Sequence, residues 1–425
     1  MPSNPPAAFS ADELIARARQ HAPYYRRLYA GLPESARLDD LPVIDPEAYW
    51  LAHGEDRREV LTGIQTDGFV LNSSGTSGAP KFSYCAASEW DASIALSARS
   101  FDEAGLQDGD RVATLFATGN MYASQLFATA SFERIQARIV QFPIGYFVPF
   151  ADSAKLIERF QINVLAGFPT PLLRIIDAID VEKSGVRLDH ILYAGEIFTP
   201  GQQQALRERF PGLQIHSAGY ASVEGGPIGY ADAACTGSEH RVYDGGTLVE
   251  ILDEETGERI DEVERPGRVV FTSLVRALMP LIRYPTGDLA QWMEPPGSPN
   301  RKFALLGRAG HNIRVAAYNL GLSEVQSWLE PLREPCGIEQ LQVVADRVGS
   351  LDRLTFRLVG QGAPDALAEG SVLFMQALRE RRPDLERAMQ REVIAPVRVE
   401  WIGHGDLIAS ERSGKILPLV DRRSA

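Results

Sequence analysis

From residue 110 the chain repeats one pattern: a short apolar run, a polar turn, then a stretch whose apolar positions recur at helical spacing. The runs are Arg111–Thr118, Ala137–Phe142, Asn163–Phe168 and Asp189–Ala194, with helical patterns such as Ser153–Phe160 and Pro171–Ile179 between them. Strands alternating with helices of this length predict a mainly parallel sheet. Ahead of this region the chain alternates helix and loop, and Ala11–Gln20 reads as a helix.

After residue 225 the pattern changes. Turn signals at Gly245-Gly246, Glu255-Thr256-Gly257 and Pro266-Gly267 separate short β-type runs at Thr247–Ile251, Arg268–Ser273 and Leu281–Tyr284. These predict antiparallel sheet and a small β-barrel-like part. The proline-rich stretch Glu294–Asn300 is a loop. Beyond it, helices at Leu322–Leu332 and Gly370–Glu380, a strand pair at Gln340–Ala345 and Arg353–Val359, and a strand at Val397–Ile402 make a compact α+β unit. The expected fold class is therefore α/β, with a large N-terminal domain over 1–307 and a small α+β C-terminal domain over 308–425.

Composition narrows the function. A chain of 425 residues, 44% hydrophobic, can bury a large core in two or more domains. A formal net charge of −13 argues against a general nucleic-acid binder. The three cysteines, Cys85, Cys235 and Cys336, are odd in number and far apart, which argues against a disulfide framework. The most apolar long stretch, Val112–Phe132, is broken by Asn120 and Gln125 and ends beside Glu133, so no membrane span is expected. The first twenty residues lack an apolar signal core. The expected compartment is the reducing cytoplasm.

The most distinctive chemistry lies in Leu71–Tyr84. Four hydroxyls and two glycines fall between Ser73 and Lys81, after an apolar run and before a lysine. Glycines let backbone approach a ligand, amides and hydroxyls converge on an anion, and lysine adds a point charge suited to phosphate. The pattern is not a Walker A loop, since Gly75 and Gly78 are only two residues apart and Pro80 precedes Lys81. Pro80 pushes Ala79 toward extended geometry. The expectation is a strand–loop–strand clasp continuing into Phe82–Cys85, with a plain Gly/Ser hairpin as the alternative. Cys235 and His240 are of metal-ligating types, but without a paired spacing His240 reads as structural.

Further motifs follow in order, and together they resemble the adenylate-forming enzymes, in particular the phenylacetate–coenzyme A ligase branch. Ser73–Lys81 is similar to that family's phosphate loop. Tyr220–Glu224 resembles its Tyr-Gly-x-Ser/Thr-Glu motif, and Tyr284–Asp288 its Tyr-x-Thr-Gly-Asp motif. Gly307-Arg308 is similar to the hinge arginine, and Ser413-Gly414-Lys415 with Asp421-Arg422-Arg423 to the terminal lysine motif. His21–Arg27 and Tyr193–Glu196 resemble two further stretches of the branch. The likeness runs from about residue 20 to the end.

The resemblance implies joining of a carboxylic acid to ATP, giving an acyl-adenylate and pyrophosphate, usually followed by transfer to a thiol. Ser73, Ser74, Thr76, Gly75, Gly78 and Lys81 are implied to hold phosphates. Glu224 is implied to ligate Mg²⁺, Gly195, Glu196 and Tyr220 to line the adenine site, Asp288 to hold the ribose and Arg308 to assist there. Lys415 is implied to neutralise charge between the attacking carboxylate and the α-phosphate, with the C-terminal domain as a mobile lid. Tyr122, Phe147 and Phe168, with Asn120 and Met121, are implied to lie near the acid, whose expected class is aryl or otherwise bulky. Three departures stand out: Ala221 and Val223 within the glutamate motif, no acid soon after Gly307-Arg308, and Ala316-Ala317 in place of an Arg-Gly pair. The acceptor, whether coenzyme A, a carrier protein or an amine, stays open. So do assembly as a homodimer and a non-catalytic nucleotide-binding role.

Overall fold

The structure is a computed structural model that describes residues 9–54, 57–73, 81–195, 198, 200–308, 312–315, 318–349, 351–409 and 416–423. The chain divides into two compact units, the first holding 1–197 and 212–306, the second 198–211 and 307–425.

Unit 1 opens with three helices, α1 (Ala11–His21), α2 (Pro23–Leu28) and α3 (Pro46–His53). A capping box starts α1: the Glu13 amide donates to Ser10 Oγ at 3.2 Å and the Ser10 amide to Glu13 Oε2 at 2.8 Å. Asp45 caps α3 ahead of Pro46, whose fixed φ suits the first helical position. The helices bury a tyrosine cluster. Tyr25 and Tyr49 both donate to the Pro280 carbonyl, at 2.6 and 3.0 Å. That gives the tyrosine-rich stretch after His21 its physical role, which is docking rather than chemistry.

Strands β1 (Phe69–Ser73) and β2 (Lys81–Cys85) pair antiparallel, with Ser73 opposite Lys81. The expected clasp is therefore present on both sides of the loop. Gly68 is required at its base: its φ is +89°, and a Cβ there would lie 2.1 Å from the Cys85 carbonyl oxygen.

After α4 (Ala87–Asp102) comes the alternation read from the sequence: β3 (Arg111–Leu115), α5 (Ser124–Phe132), β4 (Val140–Pro143), α6 (Phe150–Phe160), β5 (Val164–Gly167), α7 (Pro169–Asp177), the single turn α8 (Val181–Ser184), β6 (His190–Tyr193), α9 (Pro200–Arg209, in unit 2) and β7 (Gln214–Ser217). The strands form one parallel sheet in the order β4-β3-β5-β6-β7. Val164, Leu165 and Ala166 are wholly buried, as expected of a parallel strand covered on both faces.

The antiparallel region holds β8 (Tyr220–Ser222), β9 (Gly226–Tyr230), β10 (Glu239–Val242), β11 (Thr247–Leu252), β12 (Gly267–Ser273), β13 (Tyr284–Trp292) and β14 (Lys302–Arg308), ordered β11-β12-β13-β14-β10-β9-β8. Two hydroxyls near its outer strands reach across, Thr247 to the Pro227 carbonyl at 2.9 Å and Ser273 to the Gly225 carbonyl at 3.1 Å. The expected strand at Leu281–Tyr284 is corrected: the strand begins at Tyr284. Arg283 has φ +52°, and its guanidinium makes a buried two-point pair with Glu250 at 3.0 and 2.9 Å. The pair is a charge-assisted, two-point contact in the interior.

Unit 2 continues with β15 (Asn312–Val315), β16 (Tyr318–Gly321), α10 (Leu322–Leu329), α11 (Arg333–Cys336), β17 (Ile338–Val348), β18 (Leu351–Gly360), α12 (Pro364–Arg381), α13 (Pro383–Gln390), β19 (Arg398–Trp401) and β20 (Leu419–Asp421). The long β17–β18 hairpin is flanked by β20 on one side and β19 on the other, both parallel to their neighbours. Trp328, Phe356 and Phe374 close its core against the helices. Among the described residues no helix is long and apolar enough to cross a membrane.

One buried network joins α4, β2 and the chain before β13. The Glu89 carboxylate accepts from the amides of Ala277 (2.7 Å), Leu278 (2.6 Å) and Ala86 (3.1 Å), and lies 3.7 Å from the guanidinium of Arg276, itself 2% exposed. Removing one partner strands buried donors and a buried charge. Glu89→Ala is expected to lower the unfolding free energy by about 3–5 kcal/mol. Urea unfolding followed by circular dichroism measures it, and a loss below about 1 kcal/mol contradicts this account.

Candidate functional site

Open parallel sheets leave a crevice beyond the carboxyl ends of their strands. Four candidate residues sit in the segments that leave those ends: Tyr122 after β3, Phe168 directly after β5, Gly195 after β6 and Tyr220 after β7. Tyr122 and Phe168 are buried in one apolar cluster with Phe116 and Leu192, against which Tyr146 packs, and the rings of Phe116 and Phe168 meet edge to face at 5.3 Å. Phe147 is not part of that cluster: it is 57% exposed and touches Tyr146 at 5.3 Å. Tyr146, one residue earlier, is the apolar neighbour that the sequence did not mark out.

The clasp brings in the second group of residues. Lys81, first in β2, places Nζ 4.0 Å from Glu224 Oε1 and 5.4 Å from the centre of the Trp50 ring. Glu224 is held by its backbone: its carbonyl accepts from Ser83 Oγ at 3.3 Å, and Ser83 Oγ accepts from Arg276 at 2.9 Å. Arg276 also donates to the Tyr84 carbonyl at 2.7 Å. The Glu89–Arg276 network therefore fixes β2 and the glutamate loop against each other. Gly225 is needed beside Glu224, since a Cβ there would lie 2.2 Å from the Phe271 ring.

Tyr220, four residues before Glu224, donates its hydroxyl to Asp288 Oδ2. Asp288 is positioned by its own turn: Gly287 has φ +80°, and the Asp288 amide donates to Thr286 Oγ1 at 3.0 Å. Threonine, glycine and aspartate of this motif thus act as one local device, an ST-turn presenting a carboxylate. Tyr284 accepts from Trp50 Nε1 at 2.9 Å. Trp50, which no motif flagged, therefore contacts both the clasp lysine and the aspartate strand.

The Tyr220 ring packs on His240 and Phe303, each at 6.1 Å between centres. His240 is buried, with Nε2 paired to Ser217 Oγ and Nδ1 to the Ser238 carbonyl, both at 3.0 Å. Burial pushes its imidazole down to about 4. Burial likewise pushes the Cys235 thiol up to about 11. Among the described residues no group of three or more His, Cys, Asp or Glu is placed to hold a metal.

Gly195, with φ +77°, follows an Ala194 amide bonded to the Gly167 carbonyl at 3.3 Å. Ser73 closes β1 and Arg308 closes β14. Ser74, Gly75, Thr76, Gly78, Glu196 and Lys415 lie outside the described residues, as do His311, Ala316 and Ala317. The segment carrying Lys415 is nonetheless bounded. Ala409 and Ile416 form a bridge, and the buried Gln342 donates to the carbonyls of Ile408 at 2.9 Å and Leu417 at 2.7 Å.

No protein-family model matches the chain. The phenylacetate–coenzyme A ligase of Thermus thermophilus is 25% identical over 442 residues, covering 96% of this chain and 94% of that protein. The indoleacetate–lysine synthetase of Pseudomonas savastanoi is 29% identical over 394 residues, covering 90% and 91%. Among solved structures, 2-hydroxyisobutyryl-coenzyme A ligase in its postadenylation state matches with a TM-score of 0.69 at 20% identity, covering 97% of this chain and 88% of that one. The chain has the adenylate-forming ligase fold and is similar to the phenylacetate–coenzyme A ligases. Within that ligase fold, Lys81, Glu224, Tyr220 and Asp288 all fall in unit 1.

His240 gives the folded chain an acid limit. Its imidazole is neutral when folded and has an ordinary value of 6.5 when unfolded. Unfolding therefore takes up a proton between those values, so stability is intact above pH 6.5 and falls as pH drops toward 4. The loss from this residue is on the order of 3 kcal/mol. Urea midpoints at pH 7 and 4.5 measure it, and His240→Gln is expected to flatten the slope while lowering stability at neutral pH. An unchanged slope would show that another group titrates.

Proposed function

We propose that this chain activates a carboxylic acid with ATP, forming an acyl-adenylate and pyrophosphate, and then passes the acyl group to coenzyme A. The observation that carries this is the convergence, in one unit with the adenylate-forming ligase fold, of the clasp, the Lys81–Glu224 pair and the Tyr220–Asp288 pair. The acid is of aryl or similarly bulky class, received by the apolar cluster around Tyr122, Phe168 and Tyr146.

In the chemical step a carboxylate oxygen bonds to the α-phosphorus, the bond from that phosphorus to the bridging oxygen breaks, and pyrophosphate leaves. Both reactants are anionic, so catalysis consists of positioning and charge neutralisation. Lys81 and the hydroxyls and amides of Ser73, Ser74, Gly75, Thr76 and Gly78 hold the outer phosphates. Asp288 accepts from the ribose hydroxyls, with Tyr220 fixing its orientation and its ring flanking the base beside Gly195 and Glu196; Arg308 assists at the ribose. Lys415 neutralises the charge between carboxylate and α-phosphate. Glu224, with its side chain only 15% exposed and 4.0 Å from Lys81, fits Mg²⁺. That ion needs few protein carboxylates, because it keeps waters and takes substrate phosphate oxygens. Bound there, Mg²⁺ supplies neutralisation of the phosphate charge.

A second reading has specific support. The indoleacetate–lysine synthetase is 29% identical, and no acid follows Gly307-Arg308 within the next few residues. Here the adenylate goes to an amine instead of a thiol. A panel of carboxylic acids scored for pyrophosphate release, with coenzyme A, with lysine and with neither, separates the two. Consumption of coenzyme A supports the first reading and amide formation the second. No release with any acid rejects both. Lys415→Ala is expected to reduce acid-dependent pyrophosphate release by at least about 100-fold while leaving ATP affinity, measured calorimetrically, within about threefold. Normal release by this variant removes the lysine from the mechanism.

A further inference from the structure

Between β3 and α5 the backbone does something costly. Gly119, Asn120 and Met121 have φ of +79°, +46° and +61°, three left-handed residues in succession, two of them not glycine. Such residues persist where the surroundings over-determine them, and they gather at functional sites. This turn is fixed from three directions. The Tyr122 amide closes it on the Gly119 carbonyl at 2.8 Å. Gln125 fixes the strand exit beneath, donating to Thr114 Oγ1 at 2.6 Å and accepting from the Phe116 amide at 3.2 Å. The third tie comes from the clasp: the Asn72 amide donates to the Met121 carbonyl at 2.9 Å, and Asn72 Nδ2 to the Asn120 carbonyl at 3.5 Å.

Asn72 is 5% exposed, and among the described residues its buried side-chain oxygen has no hydrogen-bond partner. It precedes Ser73, where the phosphate loop begins, and is opposite Phe82, next to Lys81. The turn it grips leads directly into Tyr122 of the apolar cluster. One asparagine thus ties the element that opens the anion clasp to the element that enters the acid-side cluster. Strain in the turn and an unmet acceptor in Asn72 coincide at the joint.

We propose that Asn72 is a positioning residue that, through the left-handed turn 119–121, couples occupancy of the acid site to the phosphate clasp. This rests on the acid-activating reading above. Attack requires the carboxylate and the triphosphate in register, and the Asn72 bonds set the spacing between the two elements that hold them. Because coupling is reciprocal, an acid that settles the turn tightens nucleotide binding by the same factor that nucleotide tightens acid binding.

The test measures the affinity of the full-length protein for α,β-methylene-ATP with Mg²⁺, with and without phenylacetate or indoleacetate, and pyrophosphate release from ATP with the same acids. In the wild type, acid is expected to tighten analogue binding by about 5–100-fold. Asn72→Leu keeps the volume and the backbone bond to Met121, removes the side-chain bond to Asn120 and is expected to reduce that factor several-fold. It is also expected to cut kcat by about 10–100-fold. Met121→Gly keeps every backbone carbonyl, relieves the strain and tests the turn should the asparagine variant fail to fold; a reduced coupling factor is expected there too. A merely structural role lowers the melting temperature and leaves the factor as it was. Wild-type coupling retained in a folded variant overturns the inference while leaving the acid-activating reading intact. Absence of analogue binding and of pyrophosphate release in the wild type overturns that reading and the inference with it.

Discussion

A buried ion pair organises the described half of the site. Glu89 takes up two amides from the chain before β13 and one at the start of α4, and it stands beside Arg276. Arg276 in turn grips Ser83 and Tyr84 of β2. Charges removed from water this completely are costly unless paired and hydrogen-bonded. The consequence is a rigid floor: β2 cannot slide relative to the antiparallel sheet without breaking several buried bonds at once. Lys81 and Glu224 stand on that floor, one at the start of β2 and the other hung from Ser83 by its carbonyl.

Above the floor, topology does the gathering. In a parallel sheet the segments that follow each strand leave at the same edge, so residues far apart in the chain are brought to one end of the sheet. Tyr122, Phe168, Gly195 and Tyr220 are far apart in sequence and come from four such segments. The aspartate arrives by a different route, on an antiparallel strand, and meets Tyr220 through a hydroxyl–carboxylate bond. The candidate residues therefore come from two sheets, and their polar groups are paired with each other: lysine with glutamate, tyrosine with aspartate. Such pairing keeps charged groups oriented before any ligand arrives, which is the physical content of preorganisation.

The departures from the family pattern have a structural setting. Val223 stands where a hydroxyl is usual, yet the turn around it is still closed by Ser222, whose Oγ accepts from the Gly225 amide at 2.9 Å. The chain is similar both to a phenylacetate–coenzyme A ligase, at 25% identity, and to an indoleacetate–lysine synthetase, at 29%, two relatives whose names give different acceptors.

Much of this was legible in the sequence, because local rules dominate there. Apolar periodicity placed β3, β4, β5 and β6 but not β7, turn residues placed β11 and β12 but not β8, β9, β10 or β14, and Pro80 with the flanking apolar runs gave the clasp its two strands. Gly287 also follows from a local demand on φ. Non-local contacts decided the rest. Trp50 and Arg276 carry no motif and act only because distant strands bring them to Lys81 and Ser83. Tyr146 and Phe147 are indistinguishable in sequence, and burial alone separates them. Leu281–Arg283 has the composition of a strand, but Arg283 takes positive φ with its side chain paired to Glu250 in the interior. Segment 198–211 joins the second unit although it sits between two strands of the first. Sequence fixes what each stretch can form alone, whereas burial and pairing across the fold choose which of those possibilities holds.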